Sequence, residues 1–145
     1  MKPFRLEKVL EYRKHLRLDA RNALASAIGD EQTLLTHQTR FERQKQQQMS
    51  ELATFAQSEA FNVEAAARRR YFTGQLDIQL MIVAEQLVQA RAIVEQQRMI
   101  LVKADQEVKS LERLREKHVE EEASQEQRRT EIELSEQWQS SNWSW

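Results

Sequence analysis

At 145 residues with a formal net charge of −1, 31% charged residues and no cysteine, the chain lacks the basic surplus of a nucleic-acid binder, a disulfide framework and a Cys-ligated metal site. Glycine occurs only at Gly29 and Gly74 and proline only at Pro3, so turns are nearly absent. A composition rich in Ala, Leu, Glu, Gln, Lys and Arg with so few breakers predicts a few long helices in a single domain spanning residues 1–145, not sheets.

Pro3 stands where proline is tolerated at or before a helix start, and nothing after Phe4 breaks the helix until the late fifties, so a first helix is expected over about 4–57. Positions seven apart from Leu6 read Leu6, Arg13, Ala20, Ala27, Leu34, Phe41, Gln48 and Phe55, with Leu10, Leu24 and Leu52 between them. This apolar seam is interrupted at Arg13, Arg17, Glu31, Gln38, Lys45 and Gln48, where long side chains can snorkel and set register or partner choice. Gly29 beside Asp30 is a soft spot and not a break.

From Thr54 to Asn62 weak helix formers and the capping residues Ser58 and Asn62 place a turn at about 58–64. A second helix is expected over about 65–137, with Leu76, Leu80, Val83, Leu87, Ala90, Val94, Gln97, Leu101, Ala104, Val108, Leu111, Arg115 and His118 at alternating three and four spacing. A repeat sustained that long belongs to a coiled coil, because the stripe of an ordinary helix would drift at 3.6 residues per turn. Two such seams bury each other if the helices fold back antiparallel, which predicts an all-α hairpin of two long helices. At about 1.5 Å per residue the shared part would extend roughly 75 Å, with little interior for an enclosed pocket. Asp105 with Lys109 and Lys103 with Glu107 fit helical i,i+4 pairing, worth about 0.2 to 0.5 kcal/mol each. Residues 138–145, which hold all three tryptophans, are read as a flexible tail: either a frayed terminus or a binding peptide.

Enzyme motifs are missing: there is no Gly-rich phosphate loop, zinc helix, nucleophile elbow or cysteine nucleophile, so no catalytic residue, cofactor or small-molecule substrate is expected. His118 with Glu122 is the one metal-like pair, and two ligands without a third do not make a site. The run Arg68, Arg69, Arg70, Tyr71, Phe72 groups arginines and aromatics, the side chains enriched in interface hot spots, just after the turn. Either it docks a partner, or Phe72 closes the end of the seam while the arginines are solvated. With no N-terminal apolar stretch resembling a signal peptide or membrane span, the expected address is the cytoplasm.

The opening Phe4-Arg5-Leu6-Glu7-Lys8-Val9-Leu10-Glu11-Tyr12-Arg13, the breaker-poor chain behind it, and the late segment Leu111-Glu112-Arg113-Leu114-Arg115-Glu116-Lys117 resemble the FliJ family of the bacterial flagellar type III export apparatus. The resemblance spans essentially the whole chain. It implies a non-enzymatic stalk, similar to the central shaft of a rotary ATPase, that binds the hexameric export ATPase and couples it to the cytoplasmic domain of a membrane export-gate protein and to export chaperones. It further implies a protein monomeric in isolation, cytoplasmic and peripherally associated with the inner membrane at the flagellar base. The residues it points to for the ATPase are Leu6, Val9, Leu10, Arg13, Arg113 and Lys117, and for the gate Phe41, Met49, Arg70, Phe72 and Leu76. Lys45 and Met49 stand where the resemblance leads one to expect aromatics. Periodicity alone leaves two alternatives open: the stalk of a virulence type III secretion system, and a structural homodimeric coiled coil.

Overall fold

The computed structural model describes residues 2–58 and 62–143. They form two helices, α1 (Glu7–Ala56) and α2 (Val63–Trp143), with no strand among the described residues. The fold is an all-α, antiparallel helical hairpin of the coiled-coil kind.

Each helix end has a local cause. Before α1 the Glu7 amide donates to the Phe4 carbonyl at 3.3 Å, a tight i→i+3 turn, and α-helical bonding begins only with Leu10 N–H to Leu6 O at 2.9 Å. That is why α1 starts at Glu7 and not at Phe4. At its other end the Gln57 and Ser58 amides donate to the Thr54 and Phe55 carbonyls at 3.2 and 3.1 Å, and the Ser58 hydroxyl donates to Phe55 O at 2.9 Å. These bonds satisfy carbonyls that a helix end would leave open. Asn62 caps α2: its Oδ1 accepts from the Glu64 amide at 2.9 Å and its carbonyl from the Ala66 amide at 2.9 Å. The middle of the expected turn, residues 59–61, lies outside the described residues.

α2 also continues past residue 137 and through Trp138 to Trp143, where a tail was expected. No proline or glycine follows Gly74, and the unfavourable propensities of Ser, Asn and Trp are only a few tenths of a kcal/mol each, roughly. Those losses do not stop a helix that propagates residue by residue once formed. Trp138 and Trp143 are exposed, and Trp145 lies outside the described residues.

The residues group into two compact units, each with a stretch of both helices: Met1–Ala20 with Leu101–Trp145, and Arg21–Ile100. In the first, Leu10 and Val108 are fully buried, with Ala20 and Ala104 buried beside them in the seam. Ion pairs fix the antiparallel register. Glu7 meets Arg115 at 3.3 Å, Arg13 meets Glu107 at 2.7 Å and Arg17 meets Asp105 at 3.2 Å, so partner numbers fall as α1 advances. In the second unit Ala27, Ala66, Leu76, Val83, Leu87, Ala90 and Val94 are buried, and Lys45–Asp77 (2.6 Å) and Glu51–Arg69 (3.2 Å) hold an antiparallel register there too. The core is narrow: a buried Leu contributes about 1.5 to 3 kcal/mol, an alanine much less. All six polar interruptions of the first seam are half-buried, and Arg13, Arg17 and Lys45 reach across to carboxylates on α2.

Candidate functional site

The N-terminal arm of the first unit is fastened to α2 by His118. Its ring nitrogen Nε2 lies 2.9 Å from the Lys2 carbonyl oxygen, and its ring stands 5.8 Å from that of Phe4 at 46°. This half-buried histidine thus works as a staple. Among the described residues no group of three or more His, Asp or Glu is placed to hold a metal ion.

Next to this fastening, α1 and α2 enclose an open groove of about 440 Å³ lined by Val9, Arg13, Lys103, Gln106, Glu107, Ser110 and Leu111. Two lining residues, Val9 and Arg13, are among those the resemblance pointed to. Val9 is 42% exposed, and the Arg13 side chain is half-exposed while it donates to Glu107 Oε2. Leu6 is half-buried, whereas Arg113 and Lys117 are exposed on α2 of the same unit. Leu10 behaves differently: it is fully buried, and its side chain belongs to the seam. The structure therefore brings all six residues into one unit but leaves five of them with side-chain surface to offer.

Close to this groove Asp105 accepts from two cations, Lys109 Nζ on Oδ2 at 2.9 Å and Arg17 Nη1 on Oδ1 at 3.2 Å. The Lys109 hydrogen bond, followed by that of Arg17, holds the carboxyl below its ordinary value against the opposing effect of partial burial. Lys103–Glu107, the other pair expected along α2, gives way to Arg13, which takes Glu107 across the seam.

The five residues assigned to the gate all fall in the second unit. Phe72 is 47% exposed, so it does not close the end of the seam, and Met49 and Arg70 are exposed as well. Phe41 is half-buried, with the Arg40 guanidinium 5.2 Å from its ring centre and His37 alongside. Leu76 is buried in the seam at 5% exposure. The arginine run is not uniform: Arg69 lies 5.1 Å over the Phe55 ring and bonds Glu51, so it is engaged within the protein, while Arg68 and Arg70 are exposed.

Gln106 and Ser110 line the groove without having stood out in the sequence, and Lys103, expected only as a partner of Glu107, lines it with them. Their spacing of three and four puts them on one flank of α2 beside the Ala104–Val108–Leu111 row, and that was the available signal. No polar or charged side chain is buried among the described residues, and no described helix is long and apolar enough to cross a membrane. The arrangement suits the docking of protein surfaces by mixed apolar and basic contacts. The family model of the flagellar FliJ protein matches residues 1–137 of this chain. Comparison with the curated proteins and with the solved structures finds no match to either. With nearly the whole of its length matched, the chain belongs to the flagellar FliJ family of export-related proteins.

Proposed function

We propose that the protein is a cytoplasmic, non-enzymatic stalk of the flagellar type III export apparatus. Its first unit docks on the export ATPase hexamer, and its second unit meets the cytoplasmic domain of the membrane export gate. Export chaperones are handled by the same protein, which would associate with the inner membrane only through the gate. The observation that carries this reading is the family match over residues 1–137, which covers the α1 stretch of the first unit and its α2 stretch as far as residue 137. Supporting it, the groove at Val9 and Arg13 and the exposed Arg113 and Lys117 offer apolar and basic contacts on a helix pair held in register by ion pairs. Unequal contacts between such a stalk and the subunits of a ring bias their nucleotide-bound states, which couples ATP turnover to a partner without chemistry in the stalk.

On the gate side Phe72, Met49 and Arg70 are the exposed side chains, with Phe41 partly so, while Leu76 is buried in the seam. The test is ATPase turnover and pulldown with the purified export ATPase. The wild-type chain should bind and stimulate it. The doubly charge-reversed Arg113→Glu/Lys117→Glu protein, altered only at exposed positions, should bind several-fold more weakly with unchanged helicity. A wild-type chain that neither binds nor stimulates the ATPase ends the proposal.

A further inference from the structure

In the second unit α2 is apolar on two opposite faces. One, carrying Leu76, Val83, Leu87, Ala90 and Val94, is buried against α1. On the other, positions 71, 74, 78, 81, 85, 88, 92, 95 and 99 follow one another at alternating steps of three and four. Tyr71, Ile78, Met81, Val88 and Met99 in that row are exposed by half to three-quarters, and Ala92 is exposed with them. Isolated apolar residues on a surface are ordinary. A heptad row of them is the surface into which a second helix packs its own side chains.

Two further features of the row have no cause inside the chain. Gly74 is one of its members, yet a Cβ built there meets nothing within 4 Å, and its backbone does not take the left-handed conformation that would call for glycine. A glycine inside a helix is less favourable than alanine, and here it leaves a notch through which another backbone can approach closely. The two charged members of the row, Glu85 and Glu95, have the same sign, and neither makes an ion pair among the described residues.

We infer that this face of α2 is a docking seam for an amphipathic α-helix of another protein, one that carries Lys or Arg at the spacing of Glu85 and Glu95 and lays its backbone into the notch at Gly74. The seam includes none of the ATPase and gate residues above, although its first member, Tyr71, stands between Arg70 and Phe72. A second copy of this chain fits less well. It would present the same row, with two more carboxylates and no basic member, since Arg91 and Arg98 stand at the margin. Carboxylates taken out of water need a cation to meet them.

The test uses the full chain and a synthetic helical peptide with leucines at its heptad positions and lysines facing the two glutamates, followed by fluorescence anisotropy. A control peptide has glutamates in place of those lysines. The lysine peptide is expected to bind, and the control to bind roughly tenfold or more weakly. Met81→Glu, at an exposed position, should weaken the lysine peptide by about the same factor while leaving helicity unchanged. Gly74→Ala should raise the melting temperature and yet weaken binding, a divergence that a merely structural glycine would not produce. Failure of the lysine peptide to bind, equal binding of the two peptides, or Gly74→Ala binding as well as wild type each overturns the inference. So does a dimer of the free chain in light scattering that Met81→Glu splits.

Discussion

Arg13 and Glu107, ninety-four positions apart in the chain, are joined by a 2.7 Å bond from Nη1 to Oε2 across the seam of the first unit. Both side chains keep more than a third of their surface, 38% and 35%, so water competes for each charge. A pair of this kind contributes about 0.2 to 1 kcal/mol. Arg13→Ala should therefore cost under about 1 kcal/mol in urea unfolding, with a coupling to Glu107→Ala of similar size. Swapping the charges, Arg13→Glu with Glu107→Arg, should recover stability but not ATPase stimulation, because the groove then presents the wrong sign at position 13. Full recovery of stimulation by the swap would show that Arg13 acts only through its ion pair.

Asp105 is held ionised by two cations of the first unit. Lys109 first, and Arg17 after it, hold its folded-state pKa below the ordinary 3.8. With the folded value depressed, the unfolded chain takes up the proton first as pH falls. The contribution of Asp105 is therefore complete above its ordinary value and is lost as pH drops through the folded one. No part of it changes between pH 5 and 8. Asp105→Asn should lower the melting temperature near neutrality and flatten the stability loss below about pH 4, the ordinary carboxylate range. A variant whose acid limb keeps the wild-type slope would contradict the assignment.

Leu10 and Val9 are neighbours with opposite fates, the first fully buried and the second 42% exposed. Leu10→Ala should cost about 2 to 3 kcal/mol, the lower part of the range for buried leucine, since a seam only two helices deep can close partly on the space left. Val9→Ala should stay within about 0.5 kcal/mol of wild type, as surface substitutions do. The pair separates stability from docking: Val9→Ala is expected to weaken ATPase binding at constant melting temperature. Equal destabilisation by the two variants, measured by thermal circular dichroism, would mean that the helices pair in another register.

Much of this was legible from spacing alone. All thirteen heptad positions read for the second helix, from Leu76 to His118, are buried or half-buried, as are the polar interruptions of the first. Asn62 and Ser58 cap where their chemistry suggested. The end of α2 was not legible, because weak propensity at Ser140, Ser141 and Asn142 does not compete with an eighty-one-residue helix already propagating. Resemblance to a family points to contact positions without saying which side chains the seam has consumed. Leu10 and Leu76 both lay in the apolar row read from the sequence, and that row, not the resemblance, foretells their burial. Nor does a run of three arginines reveal that Arg69 alone turns inward, since its partners Phe55 and Glu51 come from the other helix.

Asn62 caps the N-terminal end of α2. Its Oδ1 satisfies the Glu64 amide in a fully exposed setting, and an alanine at an N-cap costs about 0.5 to 2 kcal/mol in general. The cost here has a ceiling, because Val63 and Glu64 are exposed and the first buried residue of α2 is Ala66. Fraying the first turn therefore exposes little apolar surface, and the chain can open there without opening the seam. Asn62→Ala should lower global stability by at most about 0.5 kcal/mol, the bottom of the range for caps. The same substitution should speed hydrogen exchange at the Glu64 and Ala66 amides, whose acceptors are on Asn62, and leave the Val83 and Leu87 amides as slow as before. Asn62→Asp should hold the protection, because the carboxylate accepts the same bond and sits favourably at the positive end of the helix dipole. Faster exchange spreading to Leu87 would show that the cap is coupled to the whole second unit and that opening there is cooperative, contrary to the ceiling argued from its exposure.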